Sequence, residues 1–205
     1  MRKPPFGRVQ GFTRALELLD KVENPVIVEV GTTRRRGNWL ADGYSTPLFA
    51  WYVARYGGEL FSVDIEPEAA ALCTEILDEF DIPSDNVHLV TGDGIEFMHS
   101  LRKPVNLLYL DGWDYSMFDT EEAFDERLAS EQAHLECYLA AEPHMARGGL
   151  VLVDDVFETR SWLGKGRRLI PYLIARRYHM DPVSLVPQEN YHPPQVYQYL
   201  AIKPA

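Results

Sequence analysis

The 205-residue sequence predicts an α/β fold, a doubly wound and mostly parallel sheet with a C-terminal antiparallel hairpin. Three observations predict it. Short apolar runs alternate with segments of helical periodicity almost from end to end. The first of these runs is continuous, as a parallel strand covered on both faces requires. Each of the first five runs also ends in an acidic residue, with glycines close by at several of them.

Phe12, Ala15, Leu16 and Leu19 recur at helical spacing before the first strand, 25–31. The second strand is 60–64. Pro67 then opens a helix, at the position where its missing N–H costs nothing, and Ala69, Leu72, Cys73, Ile76, Leu77 and Phe80 form its apolar stripe. Strands three and four are 87–90 and 105–110. A long helix marked by Phe124, Leu128, Leu135, Tyr138 and Leu139 precedes strand five, 150–153, and another helix covers roughly 167–178. Runs at 183–186 and 196–202, joined through His192-Pro193-Pro194, form the hairpin. With no internal repeat or low-complexity tract, residues 1–205 read as one domain with an N-terminal extension at 1–9.

No apolar run reaches the roughly 18 residues that span a bilayer, and the basic start, residues 1–5, is followed by no apolar stretch of a signal peptide. Cys73 and Cys137 both fall in helices, so a reduced, cytoplasmic chain without membrane contact is expected. The net charge of −11 argues against a nucleic-acid partner, because phosphates would be repelled. The short clusters Arg34-Arg35-Arg36 and Arg167-Arg168 read as solvated charge.

In an open parallel sheet, ligands bind outside the carboxyl ends of the strands. Those ends carry Glu29-Val30-Gly31, Asp64, Gly92-Asp93-Gly94, Asp111-Gly112 and Asp154-Asp155. Gly31 allows a ligand close to the backbone. Asp64 is placed to accept ribose hydroxyls and Asp93 to accept from an adenine amino group. The first loop, Gly31-Thr32-Thr33-Arg34-Arg35-Arg36-Gly37, lacks the glycine spacing of a dinucleotide site, which favours an adenosyl ligand without phosphates. Asp111, Asp154 and Asp155 would bring three carboxylates to one mouth of neighbouring strands. Uncompensated, they would repel one another, and a hard cation such as Mg²⁺ or Mn²⁺ would relieve the strain. The alternative is that Asp111 serves the cofactor region while Asp154 caps a turn.

These motifs resemble class I S-adenosylmethionine (SAM)-dependent methyltransferases, whose fold is Rossmann-like, and among them the metal-dependent O-methyltransferases of the catechol and macrocin type. Val28-Glu29-Val30-Gly31 with Gly43-Tyr44-Ser45-Thr46 is similar to the family's first loop, although residues 34–42 make a longer insert. Val63-Asp64-Ile65-Glu66-Pro67 is similar to its ribose-binding strand end. Leu110-Asp111-Gly112-Trp113 and Leu152-Val153-Asp154-Asp155 are similar to its metal-bearing ends.

The resemblance implies methyl transfer from SAM to a small hydroxylated acceptor by a homodimer. It implies a SAM site formed by Glu29, Gly31, Thr32, Thr33, Gly43, Ser45, Asp64, Asp93, Gly94 and Asp111. Mg²⁺ or Mn²⁺ would be held by Asp111, Asp154 and Asp155, and would acidify the acceptor hydroxyl. Asp111, Asp114 and Lys165 are the catalytic candidates. Catechol-type relatives place a lysine base where this chain has Asp114, so Asp114 is the nearest base and Lys165, in Gly164-Lys165-Gly166, the more distant one. His134 reads as a structural or surface histidine, and Trp113 and Tyr115 as pocket walls or packing residues. The insert reads as a mobile lid. Aminopropyl transfer and non-catalytic SAM binding are the alternative activities.

Overall fold

A computed structural model describes residues 1–6, 8–114, 120–157, 163–182 and 198–204. Helix α1 (Val9–Leu19) buries Phe12, Ala15, Leu16 and Leu19, the residues whose spacing predicted it. Strand β1 (Val26–Val30) follows, buried at every position. Next come α2 (Trp39–Asp42), α3 (Ser45–Tyr56), β2 (Glu59–Asp64) and α4 (Pro67–Glu79), the last opened by Pro67 as expected. The chain continues through β3 (Val87–Thr91), α5 (Gly94–Ser100), β4 (Val105–Leu110), α6 (Glu121–Ala141) and β5 (Met145–Val153). It ends with β6 (Val156–Phe157), β7 (Leu163–Gly164), α7 (Leu169–Ala175), β8 (His179–Met180) and β9 (Tyr199–Ile202).

The main sheet has the order β3-β2-β1-β4-β5-β9-β8, with β9 antiparallel to both β5 and β8. The predicted doubly wound sheet and its antiparallel C-terminal end are both present. The hairpin's first arm is β8; the expected strand at 183–186 lies outside the described residues. Because β1 is central, its side chains alternate between two cores. Val28 and Val30 pack toward α5, α6 and α7 with Met98, Tyr138 and Leu173, while Ile27 packs toward α1 and α3 with Phe12, Phe49 and Val53. That double coverage is why the run is uninterrupted.

Register positions the site. Val30 pairs with Val63 on one side and with Leu110 on the other, and Leu110 pairs with Val153. Gly31, Asp64, Asp111 and Asp154 therefore leave the sheet at one level. The chain order turns at β1, so the crevice between the β1 and β4 ends is the switch point where such sheets bind ligands.

Two features differ from expectation. In α6, Phe124 and Leu139 are exposed, and the buried face instead includes Ser130, Glu131 and His134. Arg167 and Arg168 approach buried Glu131, at 3.7 and 3.8 Å, rather than facing only solvent. Unforeseen too is the small antiparallel pair β6–β7, which folds the chain back immediately after Asp155. Among the described residues no helix is long and apolar enough to cross a membrane.

Candidate active site

Glu29 is fully buried behind the first loop. Its Oε2 accepts from Thr46 Oγ1 at 2.7 Å and from Ser62 Oγ at 2.5 Å. Thr46 in turn accepts from the Thr33 amide at 2.9 Å, and Thr32 Oγ1 lies 2.8 Å from Ser62 Oγ. Glu29 thus shapes the loop at residues 31–33 from beneath and lines neither of the cavities described below. Burial pushes its carboxyl up to about 7, against hydroxyls of Ser45, Ser62 and Thr46 that pull it down.

The sign of that shift makes a prediction. Between the ordinary value of 4.5 and about 7, the folded chain keeps a proton that the unfolded chain has lost. The stability this contributes is complete below the lower value and is lost as pH rises through the upper one. The loss amounts to about 3 kcal/mol if the whole shift is expressed. Urea unfolding of wild type and Glu29→Gln at pH 5 and pH 8 should show a shallower pH dependence in the variant; equal slopes would contradict it.

Two cavities meet at the sheet edge. The first, about 280 Å³, is lined by Val30, Gly31, Arg34, Val63, Asp64, Ile65, Glu66, Gly92, Asp93, Gly94, Gly112, Trp113 and Asp114. Asp64 is fixed by backbone donors, Thr32 N to Oδ2 at 2.8 Å and Glu66 N to Oδ1 at 3.0 Å. Each oxygen has a further lone pair for a ligand hydroxyl. Asp93 caps α5 through Oδ1, which accepts from Ile95 N and Glu96 N at 2.8 and 3.0 Å. Gly31 has φ +97°, and a Cβ there would lie 2.6 Å from the backbone of Asp111 and Gly112. The glycine lets the β1 and β4 ends close on each other.

The second cavity, about 420 Å³, is lined by Thr32, Thr33, Arg34, Arg35, Ser45, Asp111 and Asp114. Arg34 and Asp114 border both cavities and form an ion pair. The insert is anchored as well as long. Arg36 pairs with Glu75 and Glu79 of α4, and the Gly37 amide donates to Tyr44 Oη at 3.1 Å. Gly43 lines neither cavity; it closes α2 at φ +79°, where a Cβ would press on Phe12 and Arg8.

Beside the second cavity the carboxylates gather around two buried cations. Lys165 Nζ lies 2.8 Å from Asp111 Oδ1, 2.8 Å from Asp114 Oδ1 and 3.0 Å from Asp155 Oδ2. Lys165 directly follows β7, which pairs with β6, and its amide reaches the Asp155 carbonyl at 3.3 Å. Arg8 Nε lies 3.0 Å from Asp154 Oδ1, and its Nη2 3.2 Å from Asp155 Oδ1. The Tyr109 hydroxyl is 2.6 Å from Asp154 Oδ2 and 3.2 Å from Asp111 Oδ2.

Burial alone would lower the Lys165 pKa, but Asp111, Asp155 and Asp114 hold it well above the ordinary value, so the ammonium stays charged. Asp114, although partly desolvated, is held at about 2 by Lys165 and Arg34. Burial pushes Asp111 upward and Asp154 and Asp155 add to it, against the pull of Lys165. Arg8, Trp113 and Asp155 all have left-handed backbones, with φ of 51°, 51° and 47°. Each non-glycine residue in that region costs on the order of 1 kcal/mol, a strain typical of functional sites.

His134 is the structural histidine expected. It is fully buried, its Nδ1 lies 2.7 Å from the Ser130 carbonyl, and its ring packs edge-to-face with Trp113, centroids 5.4 Å apart. Burial, followed by the Lys165 charge, pushes it down to about 3, so the ring is neutral.

The expected metal set does not assemble as Asp111, Asp154 and Asp155. Asp154 is drawn to Arg8 and Tyr109, and the oxygens that converge belong to Asp111, Asp114 and Asp155, all within 4.8 Å of one another. All-oxygen donors suit Mg²⁺ or Mn²⁺ in kind. The ammonium of Lys165 nevertheless already holds one oxygen from each, and a divalent ion sharing them would face that charge across a few ångströms. As arranged, these residues do not fit a divalent ion. The carboxylates are compensated by Arg8, 146 positions from Asp154 in sequence and therefore invisible to local patterns, and by Lys165. The glycines flanking Lys165, ten residues after Asp155, were the one available signal. Tyr115 lies outside the described residues, while Trp113 does wall the first cavity.

The sequence matches the methyltransferase domain family over residues 40–156. No curated protein matches it. Among solved structures it is similar to an rRNA methylase from Streptococcus thermophilus, with 15% identity, TM-score 0.59 and coverage of 100% of this chain and 99% of that one. It is also similar to the O-methyltransferase TomG from Streptomyces achromogenes, involved in tomaymycin synthesis and solved with SAM, with 16% identity, TM-score 0.61 and coverage of 94% and 78%. A third is the N-methyltransferase NodS from Bradyrhizobium japonicum, with 14% identity, TM-score 0.58 and coverage of 94% of each chain. At these identities the likeness is one of fold, shared across different acceptor atoms.

Proposed function

This chain belongs to the methyltransferase domain family, of the class I SAM-dependent type, and on that premise we propose that it transfers a methyl group from SAM to a hydroxyl of a small molecule. The observation that carries the proposal is the pair of cavities sharing Arg34 and Asp114. In this reading the adenosine occupies the first cavity, with its ribose hydroxyls on Asp64 and its base near Asp93, Gly94 and Trp113. The methionine end lies in the polar second cavity beside Thr32, Thr33 and Ser45. The sulfonium methyl then faces Asp111 and Asp114.

An acceptor hydroxyl at that junction attacks the methyl carbon. The O–C bond forms, the S–C bond breaks, and S-adenosylhomocysteine leaves. The acceptor proton passes to a carboxylate at the junction; Asp111, raised by burial, is the stronger candidate, and Asp114, held at about 2 between Lys165 and Arg34, is the weaker. Holding nucleophile, methyl and sulfur in line supplies much of the acceleration. Trp113 walls the first cavity and limits water there. No step is routed through a divalent ion, since Lys165 takes its place among the carboxylates. A small-molecule acceptor agrees with the net charge of −11 and the acidic mouth, which would repel a phosphate backbone.

Incubation with methyl-labelled SAM, a panel of phenols, sugars and hydroxylated polyketides, and ribosomal RNA tests the proposal. Label should enter the hydroxylated small molecules as an ether. Label confined to RNA, or to an amine, would contradict it.

A further inference from the structure

We propose that the Lys165 ammonium is a built-in substitute for a divalent cation, so that this protein binds none among its strand-end carboxylates and Lys165 is a positioning residue for Asp111 and Asp114. The positioning role rests on the function proposed above; the exclusion of a divalent ion does not.

The charge network around Lys165 closes on itself. Starting at the cavity, Arg34 pairs with Asp114, whose other oxygen binds Lys165. Lys165 binds Asp155, which pairs with Arg8 through its second oxygen. Arg8 binds Asp154, which is met by the Tyr109 hydroxyl, and Tyr109 leads to Asp111 and so back to Lys165. Positive and negative groups alternate except between Asp154 and Asp111, which share the single Tyr109 hydroxyl proton; three cations serve the four carboxylates, and each carboxylate has a polar neighbour at both oxygens. An ion entering this ring would have to displace a buried ammonium that is only 1% exposed. Removing a buried partner leaves the remaining charges uncompensated, which is strongly unfavourable.

The chain is built to hold Lys165 in place. Gly164 has φ +93°, and a Cβ at Gly166 would lie 2.5 Å from Ile170 Cδ1 and 3.0 Å from Val156 Cγ2. Glycine on each side lets the backbone pass close to the core with the lysine directed at the strand ends. Lys165 lines neither cavity, whereas Asp111 and Asp114 both border the second. Its effect on methyl transfer therefore passes through the orientation of those two carboxylates.

The probe is Mn²⁺ itself, followed by electron paramagnetic resonance on the full chain with SAM present, a readout that needs no acceptor. Wild type should leave millimolar Mn²⁺ free, and Lys165→Ala, with its cation place vacated, should bind it at least about tenfold more tightly. Stoichiometric Mn²⁺ binding by wild type, lost in Asp111→Asn, would overturn the proposal whether or not the lysine variant folds. So would a folded Lys165→Ala protein that takes up no more Mn²⁺ than wild type. For the positioning role, Lys165→Ala should lower kcat at least about tenfold while SAM affinity changes less than about twofold. Equal losses in both would contradict that role. Wild-type turnover unchanged by EDTA is the expected companion result, and turnover abolished by EDTA and restored by Mg²⁺ would overturn metal independence.

Discussion

Replacing Arg8 by leucine is expected to cost about 3–5 kcal/mol of folding stability, the scale for breaking a buried ion pair from one side. Asp154 is 1% exposed, and its Oδ1 relies on Arg8 Nε and its own neighbour's amide, Asp155 N at 2.9 Å. Without Arg8, the Asp154 carboxylate keeps, among the described residues, that amide and the Tyr109 hydroxyl, and Asp155 loses a partner too. Arg8 also sits at φ 51°, so the backbone bears strain to present it. The exposed pair Lys103–Glu59 makes the contrast, since such pairs contribute about 0–1 kcal/mol. Urea denaturation of Arg8→Leu, Asp154→Leu and the double variant measures the coupling. The double variant should recover much of the loss, because the buried Asp154 charge is gone and Asp155, having lost Arg8, keeps Lys165. A loss under about 1 kcal/mol in Arg8→Leu would contradict the buried pairing.

Gly31→Ala is expected to cost about 2–5 kcal/mol, combining left-handed strain with overpacking against backbone. The added Cβ would meet the Asp111 carbonyl carbon and the Gly112 amide nitrogen at 2.6 Å, and neither belongs to a flexible side chain. Relief requires the β1 and β4 ends to part, which moves Gly31 and Asp111 on the walls of the two cavities. Stability and SAM affinity should therefore fall together. Thermal unfolding with and without SAM reports both, and a variant as stable as wild type would mean the strand ends are not in contact as described.

The parts of the fold that were legible share a physical cause. Strands β1, β2 and β4 are central, so they are rich in apolar residues on both faces, and parallel pairing in register brings the residues after them to one level. The acids at 64, 93, 111, 154 and 155 could be read as one edge for that reason. Their compensating cations could not. Arg8 arrives from a segment that reads as an extension, through a left-handed turn that no periodicity reports. Lys165 arrives through a two-residue strand pair too short to show alternation. In α6 the expected stripe is half right: Leu135 and Tyr138 face the core but Phe124 and Leu139 are exposed, because the helix turns Ser130, Glu131 and His134 inward and its buried face is partly polar. Glu29, expected at the ligand, lines neither cavity; it is buried behind the first loop, where it accepts from the hydroxyls of Thr46 and Ser62.

Calorimetric titration of wild type and Asp64→Ala with SAM tests whether the β1 and β2 ends hold the cofactor with its ribose on Asp64. Asp64 is oriented from behind by the Thr32 and Glu66 amides, so its loss removes ligand contacts from a loop fixed by other bonds as well. The expected result is one site per chain in wild type and a loss of about 1.5–3 kcal/mol in the variant, the scale of hydrogen bonds to a charged group. No SAM binding by the wild-type chain, or equal affinity in the two proteins, would contradict the placement of the cofactor.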